Sequence, residues 1–89
     1  MPAVTARTIT VTLRFLARYG EVVGRESCVL TLSFPATVAD ALVAVREILP
    51  AAVQLPAKPL CAVNFRQVRL ETAVADGDEI ALLPPVAGG

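Results

Sequence analysis

From Thr8 to Phe15 the chain alternates polar and apolar residues without a break, and β-branched side chains dominate the run. That is the period of a strand with one buried face, so Ile9, Val11, Leu13 and Phe15 are expected in the core. The alternation stops at Leu16. Leu16, Tyr19 and Val23 recur at helical spacing while Gly20 and Gly24 limit any helix to a turn or two, which predicts a short helix or loop ending near Gly24. Cys28 to Phe34 resumes the period of two and predicts a second strand, with Cys28, Leu30, Leu32 and Phe34 inward. Pro35 ends that ladder. Thr37 followed by Asp40 has the spacing of an N-cap with an acidic residue in the first helical turn. Val38, Leu42, Val45 and Leu49 then form one stripe, with Asp40, Arg46 and Glu47 off it, and Pro50 stops the helix at Leu49.

Ala51 to Pro59 has no usable period and contains Pro56 and Pro59, so it is expected to be a crossing loop. Leu60 to Asn64 is expected to be a compact apolar strand, Phe65-Arg66-Gln67 a turn, and Val68 to Leu70 a brief strand. Asp76-Gly77-Asp78 marks a reversal. Glu79 to Leu83 is the last strand, with Ile80 and Leu82 inward and Ala81 and Leu83 outward. The reading divides the chain into a short arm over 1–7, one domain over 8–83 and an extended tail over 84–89.

Composition narrows the possible functions. Of 89 residues 55% are hydrophobic and 18% charged, a balance that supports one packed core and argues against disorder. Eight basic and eight acidic side chains cancel. The positive footprint of a nucleic-acid binder is therefore missing, and an anionic membrane surface is no better served. The start of the chain has no secretory pattern and no run reaches membrane-spanning length, which places the protein in the cytoplasm as an expectation. With two cysteines, Cys28 and Cys61, and no histidine, a zinc site of the usual kind cannot be completed. Both cysteines sit in strand-like runs and read as buried thiols, although sequence leaves a mutual disulfide open.

The absence of histidine also removes the usual side chain for proton transfer at neutral pH. Asp76, Asp78 and Glu79 form the only acidic cluster, and they read as a solvated turn rather than a catalytic dyad. The chemistry is expected at the end of the chain. Gly88 and Gly89 present an α-carboxylate with no side chain to shield it, and Pro84-Pro85 bias the approach toward an extended path without hydrogen bonds. Leu83, Pro84, Pro85 and Val86 make an apolar patch at the root of that tail, a candidate interface.

The order strand, strand, helix, strand, short strand, strand resembles the ubiquitin-like β-grasp sulfur carriers, above all the molybdopterin synthase small-subunit (MoaD) type. Ala62-Val63-Asn64, Asp76-Gly77-Asp78-Glu79 and the ending Pro84-Pro85-Val86-Ala87-Gly88-Gly89 carry the likeness, with Phe15-Leu16-Ala17-Arg18 and Gly24 at the exit of the first strand. The resemblance implies an α+β, β-grasp fold, a mixed sheet of four to five strands packed against one main helix. It implies that an adenylyltransferase resembling ubiquitin-activating enzymes consumes ATP to adenylate Gly89, and that a sulfur donor protein then converts the end to a thiocarboxylate. Ala87 and Gly88 would thread the partner's channel. The large catalytic subunit of molybdopterin synthase would use the thiocarboxylate on a cyclic pyranopterin precursor.

On that reading the chain is a protein substrate and non-catalytic subunit, binding no cofactor or metal and neither nucleic acid nor membrane. Leu83, Pro84, Pro85 and Val86 would dock against both partners, with Phe65, Arg66 and Arg69 extending the surface. Carriers for thiamine, cysteine or tRNA thiolation, a ubiquitin-like protein modifier, and an interaction domain with inert glycines are the alternatives. Lys58 is the only lysine, which argues against chains built on the protein itself.

Overall fold

The computed structural model describes residues 7–85. Val86, Ala87, Gly88 and Gly89, and all of the expected arm except Arg7, lie outside the described residues. The elements run β1 (Thr8–Phe15), α1 (Arg18–Val23), β2 (Ser27–Ser33), β3 (Ala36–Thr37), α2 (Val38–Ile48), a 3-10 turn (Pro50–Gln54), β4 (Leu60–Val63), β5 (Arg66–Val68), β6 (Ala73–Val74) and β7 (Glu79–Leu83). Five strands form one sheet in the order β2-β1-β7-β4-β5, while β3 and β6 pair apart from it. β1 and β7 are parallel and the other pairs antiparallel, so the sheet is mixed and α2 is the one main helix, as expected of an α+β β-grasp.

Alternation decides which face is covered. Ile9, Val11, Leu13 and Phe15 of β1, Cys28, Leu30 and Leu32 of β2, Cys61 of β4 and Ile80 and Leu82 of β7 are all buried. Val38, Ala41, Leu42 and Val45 of α2 are buried in the same core, and Leu49 packs against its edge. The helix begins where the sequence places it, because the Asp40 backbone N–H donates to Thr37 Oγ1 while the Thr37 N–H donates to Asp40 Oδ2. The next free N–H groups, of Val38 and Ala39, donate to the carbonyls of Thr72 and Leu70.

Four expectations are corrected. Phe34 is not a core residue; it is 43% exposed and carries the Arg7 guanidinium 4.0 Å from its ring centroid. The crossing after Pro50 is not irregular throughout, since Pro50–Gln54 winds into a 3-10 turn that buries Ala52 and precedes a buried Leu55. The β4–β5 turn falls at Asn64-Phe65 rather than at 65–67, with φ of 49° and 71°, and Val63 pairs directly with Arg66 across it. Consequently β5 starts at Arg66 and ends at Val68, because the Leu70 carbonyl serves α2 rather than a ladder.

Candidate functional site

The strand that leads to the tail is the middle of the sheet. β7 is bonded on one side to β1 and on the other to β4, and Ile80 and Leu82 are fully buried beneath it. The start of the strand is clamped by the Asp-Gly-Asp reversal. Asp76 Oδ1 accepts from the Thr10 N–H, and Asp78 accepts from the Ala75 N–H and from Asn64 Nδ2. Asn64 Oδ1 in turn accepts from the Glu79 N–H, and the Asn64 N–H donates to the Glu79 carbonyl. Gly77 makes the turn at φ +87°, a conformation that L side chains avoid. The acidic cluster is thus engaged in structural contacts: Asp76 and Asp78 accept from backbone N–H groups, Asp78 also from the Asn64 amide, and Glu79 pairs with Arg14. It sets the register of β7 and is not arranged for proton transfer.

The other end of β7 is the root of the tail. Its last sheet partner is Leu60, opposite Leu83, and the Leu16 N–H donates to the Leu82 carbonyl. Pro84 and Pro85 then follow without an N–H, so the ladder stops; Pro84 is half-buried and Pro85 exposed. On the sheet face away from α2, register places Arg14, Ala81, Ala62 and Gln67 in one row across four strands. The next row toward the tail holds Leu83 and Leu60, and Leu16 just beyond β1 extends it. Leu60 is 41% exposed and Leu83 half-buried. These residues form an apolar strip that runs to the tail root, bounded farther back by the Arg14–Glu79 ion pair at 3.6 Å.

The sequence-derived docking residues separate on this surface. Leu83, Pro84 and Pro85 stand together at the tail root. Arg69, one residue past Val68, is at the same end of the sheet and is paired with Glu71 at 3.9 Å, both well exposed. Phe65 and Arg66 are not brought to the tail; their hairpin abuts the start of β7, where Val63 pairs with Ile80. Phe65 is 95% exposed there. Leu16, Leu60 and Ala62 were missed by sequence reasoning. The available signal was that Leu60 to Val63 is apolar at every position, and so on both faces, in a strand with only one face to bury.

Both thiols are free and buried. Cys61 is 1% exposed, its Sγ donates to the Pro59 carbonyl at 3.3 Å, and burial pushes its pKa up to about 11. Neither sulfur is accessible to solvent. Among the described residues there is no His, Cys, Asp and Glu cluster fit for a metal ion, and no helix long and apolar enough to cross a membrane.

A family model described as the ThiS family matches residues 13–89. SAMP1 from Haloferax volcanii superposes with a TM-score of 0.79 at 32% identity, over 90% of this chain and 99% of that one. In the complex of subunits 1 and 2 of molybdopterin-converting factor from Helicobacter pylori 26695, the similar chain aligns with a TM-score of 0.64 at 26% identity, over 91% of this chain and 100% of that one. A putative molybdopterin converting factor subunit 1 from Pyrococcus furiosus gives 0.76 at 22% identity, over 88% and 99%, and at that identity speaks for the fold alone.

Proposed function

The chain belongs to the ThiS family, and from that premise we propose that it is a sulfur carrier whose reacting group is the carboxylate of Gly89. The observation that carries this reading is the exit of β7: a strand held from both sides in mid-sheet passes directly to Pro84-Pro85, and the sequence beyond reads Val86-Ala87-Gly88-Gly89. A carboxylate is a poor electrophile. Its oxygen must first attack the α-phosphorus of ATP, releasing pyrophosphate, after which hydrosulfide attacks the acyl carbon, the carbon–oxygen bond to AMP breaks as the carbon–sulfur bond forms, and loss of a proton leaves a thiocarboxylate. The first step needs an activating enzyme to receive the tail, and glycine at 88 and 89 adds no bulk to obstruct it. The two thiols are buried, so cysteine is unsuited to carry the sulfur here.

The proposed acceptor is a cyclic pyranopterin precursor held by the large catalytic subunit of molybdopterin synthase. The relative in complex with subunit 2 of a molybdopterin-converting factor supports it, and the strip Leu16, Leu60, Ala62, Ala81 and Leu83 is the surface that such a subunit would cover. The same strip would be read by the adenylyltransferase, since both must grip one tail. A second reading, attachment of Gly89 to lysines of other proteins, draws on the similarity to SAMP1, the small archaeal modifier protein 1.

Incubation with ATP, an activating enzyme and a sulfur donor, followed by intact mass and C-terminal fragmentation, tests the proposal. Replacement of one oxygen by sulfur at Gly89 is the expected result, and deletion of Gly89 abolishes it in a chain that stays folded. Transfer of that sulfur to the pterin precursor by the large subunit separates the first reading from the second, in which Gly89 is instead recovered in isopeptide bonds.

A further inference from the structure

The two edges of the sheet are unlike. β5 is three residues long, carries Arg66 and is followed by Arg69 and Glu71, so its edge is short and charged, the usual protection against unwanted pairing. β2 is seven residues long and has no charge and no proline: Ser27-Cys28-Val29-Leu30-Thr31-Leu32-Ser33.

Its hydrogen bonding can be assigned position by position. The Phe15 N–H donates to the Glu26 carbonyl and the Phe34 N–H to the Arg7 carbonyl. In the antiparallel register these are the bonded pairs, so the even-numbered residues of β2 spend their backbone groups on β1. Ser27, Val29, Thr31 and Ser33 therefore direct their N–H and C=O groups outward, and none of them pairs with another described strand. Beside this row, between β2 and α2, lies a groove of about 340 Å³ lined by Leu32, Pro35, Val43 and Ala44 and rimmed by Asp40 and Glu47. Val43 is 57% exposed on the helix side and Val29 is 64% exposed on the opposite face of the strand. Neither rim carboxylate has a salt-bridge partner among the described residues.

We infer that the outer edge of β2, with this groove, is a docking site for an extended strand of a protein partner whose apolar residues are flanked by Lys or Arg. The backbone row, which pairs with no other described strand and whose Val29 carbonyl takes only the Cys28 Sγ–H at 3.8 Å, fits main-chain pairing, Val29 and Val43 supply apolar contacts on the two faces of an added strand, and Asp40 and Glu47 set the charge of its flanks. A second copy of this chain is a poorer fit, since its β2 has no basic residue and a twofold pairing would bring both acidic rims together. The edge lies two strand spacings, about 10 Å, from β7. A partner bound there leaves the tail root open, as suits a protein that must be handed between enzymes.

The test uses the ¹⁵N-labelled full chain titrated with the synthetic peptide Lys-Arg-Val-Ile-Val-Ile-Lys-Arg. Saturable shifts at the amides of Val29, Thr31, Ser33 and Val43 are expected, together with slowed exchange of the first three. Thr31→Pro removes an outward N–H without touching the β1 ladder and is expected to weaken binding about tenfold or more, with the remaining spectrum retained. Glu47→Lys, on an exposed helical position, gives a similar loss and carries the test if the proline variant does not fold. The peptide with Glu and Asp at its flanks is expected to bind at least about tenfold more weakly. Absence of saturable shifts, shifts confined to the Leu60 and Leu83 face, or equal binding of the acidic-flanked peptide overturns the proposal. So does a concentration-dependent dimer dissolved by Thr31→Pro, which would assign the edge to a second copy.

Discussion

Single residues show how polar side chains in the described part of the chain are committed to holding the fold. Asn64 illustrates it: its side chain bonds both Asp78 and the Glu79 N–H while its own backbone sits at φ 49°. Asn64→Ala removes both bonds and places alanine in a left-handed conformation, and is expected to cost about 2–3 kcal/mol in a denaturant melt. Cys61 yields a pH prediction. Its thiol is held neutral in the fold to about 11, while in the unfolded chain it ionises near 9.0. Between those values the unfolded state has released a proton that the folded state retains, so stability is full below pH 9 and falls as pH rises toward 11. Equilibrium melts across that window should show the decline, and Cys61→Ala should flatten it. At neutral pH Cys61 should resist alkylation until the protein is unfolded.

At the scale of elements, the strongest signals in the sequence were those with a local physical cause. The faultless alternation of 8–15 became β1 with the same limits, and Thr37 with Asp40 became a capping box. Thr37→Ala is expected to destabilise the protein by about 1 kcal/mol, read as a lowered melting temperature, because it strips the acceptor from the Asp40 N–H at an exposed site. Elements whose limits depend on distant partners were less legible. Val68 to Leu70 reads as a strand, yet the Leu70 carbonyl is taken by the start of α2, which no local pattern announces. Phe34 continues the alternation of β2 but lies one residue past its last rung, where the chain turns and Arg7 covers the ring instead of the core. The 3-10 turn at Pro50–Gln54 is too short to generate a period.

For the whole molecule, the question is where the tail is delivered and what stands beside it. Leu60→Asp should leave the core intact, because Leu60 faces away from α2 and is 41% exposed. On the proposed function it is nevertheless expected to weaken binding to a large molybdopterin synthase subunit by about 30-fold or more, measured by calorimetry, if the strip is the central contact. Phe65→Ala, at the other end of β7, is expected to change that affinity by less than about threefold. By itself the sequence determined the strands of strict alternation and the capped helix, since each is written in residue types at short spacing, while the α+β class and the family came through the resemblance that its motifs carry. Tertiary structure alone decided that the final strand lies between the first and the fourth, that Leu60 and Leu16 flank its exit, and that Phe65 and Arg66 do not. Pairing between segments far apart in the chain is chosen by burial and ladder geometry together, and no local period records which strand will be whose neighbour.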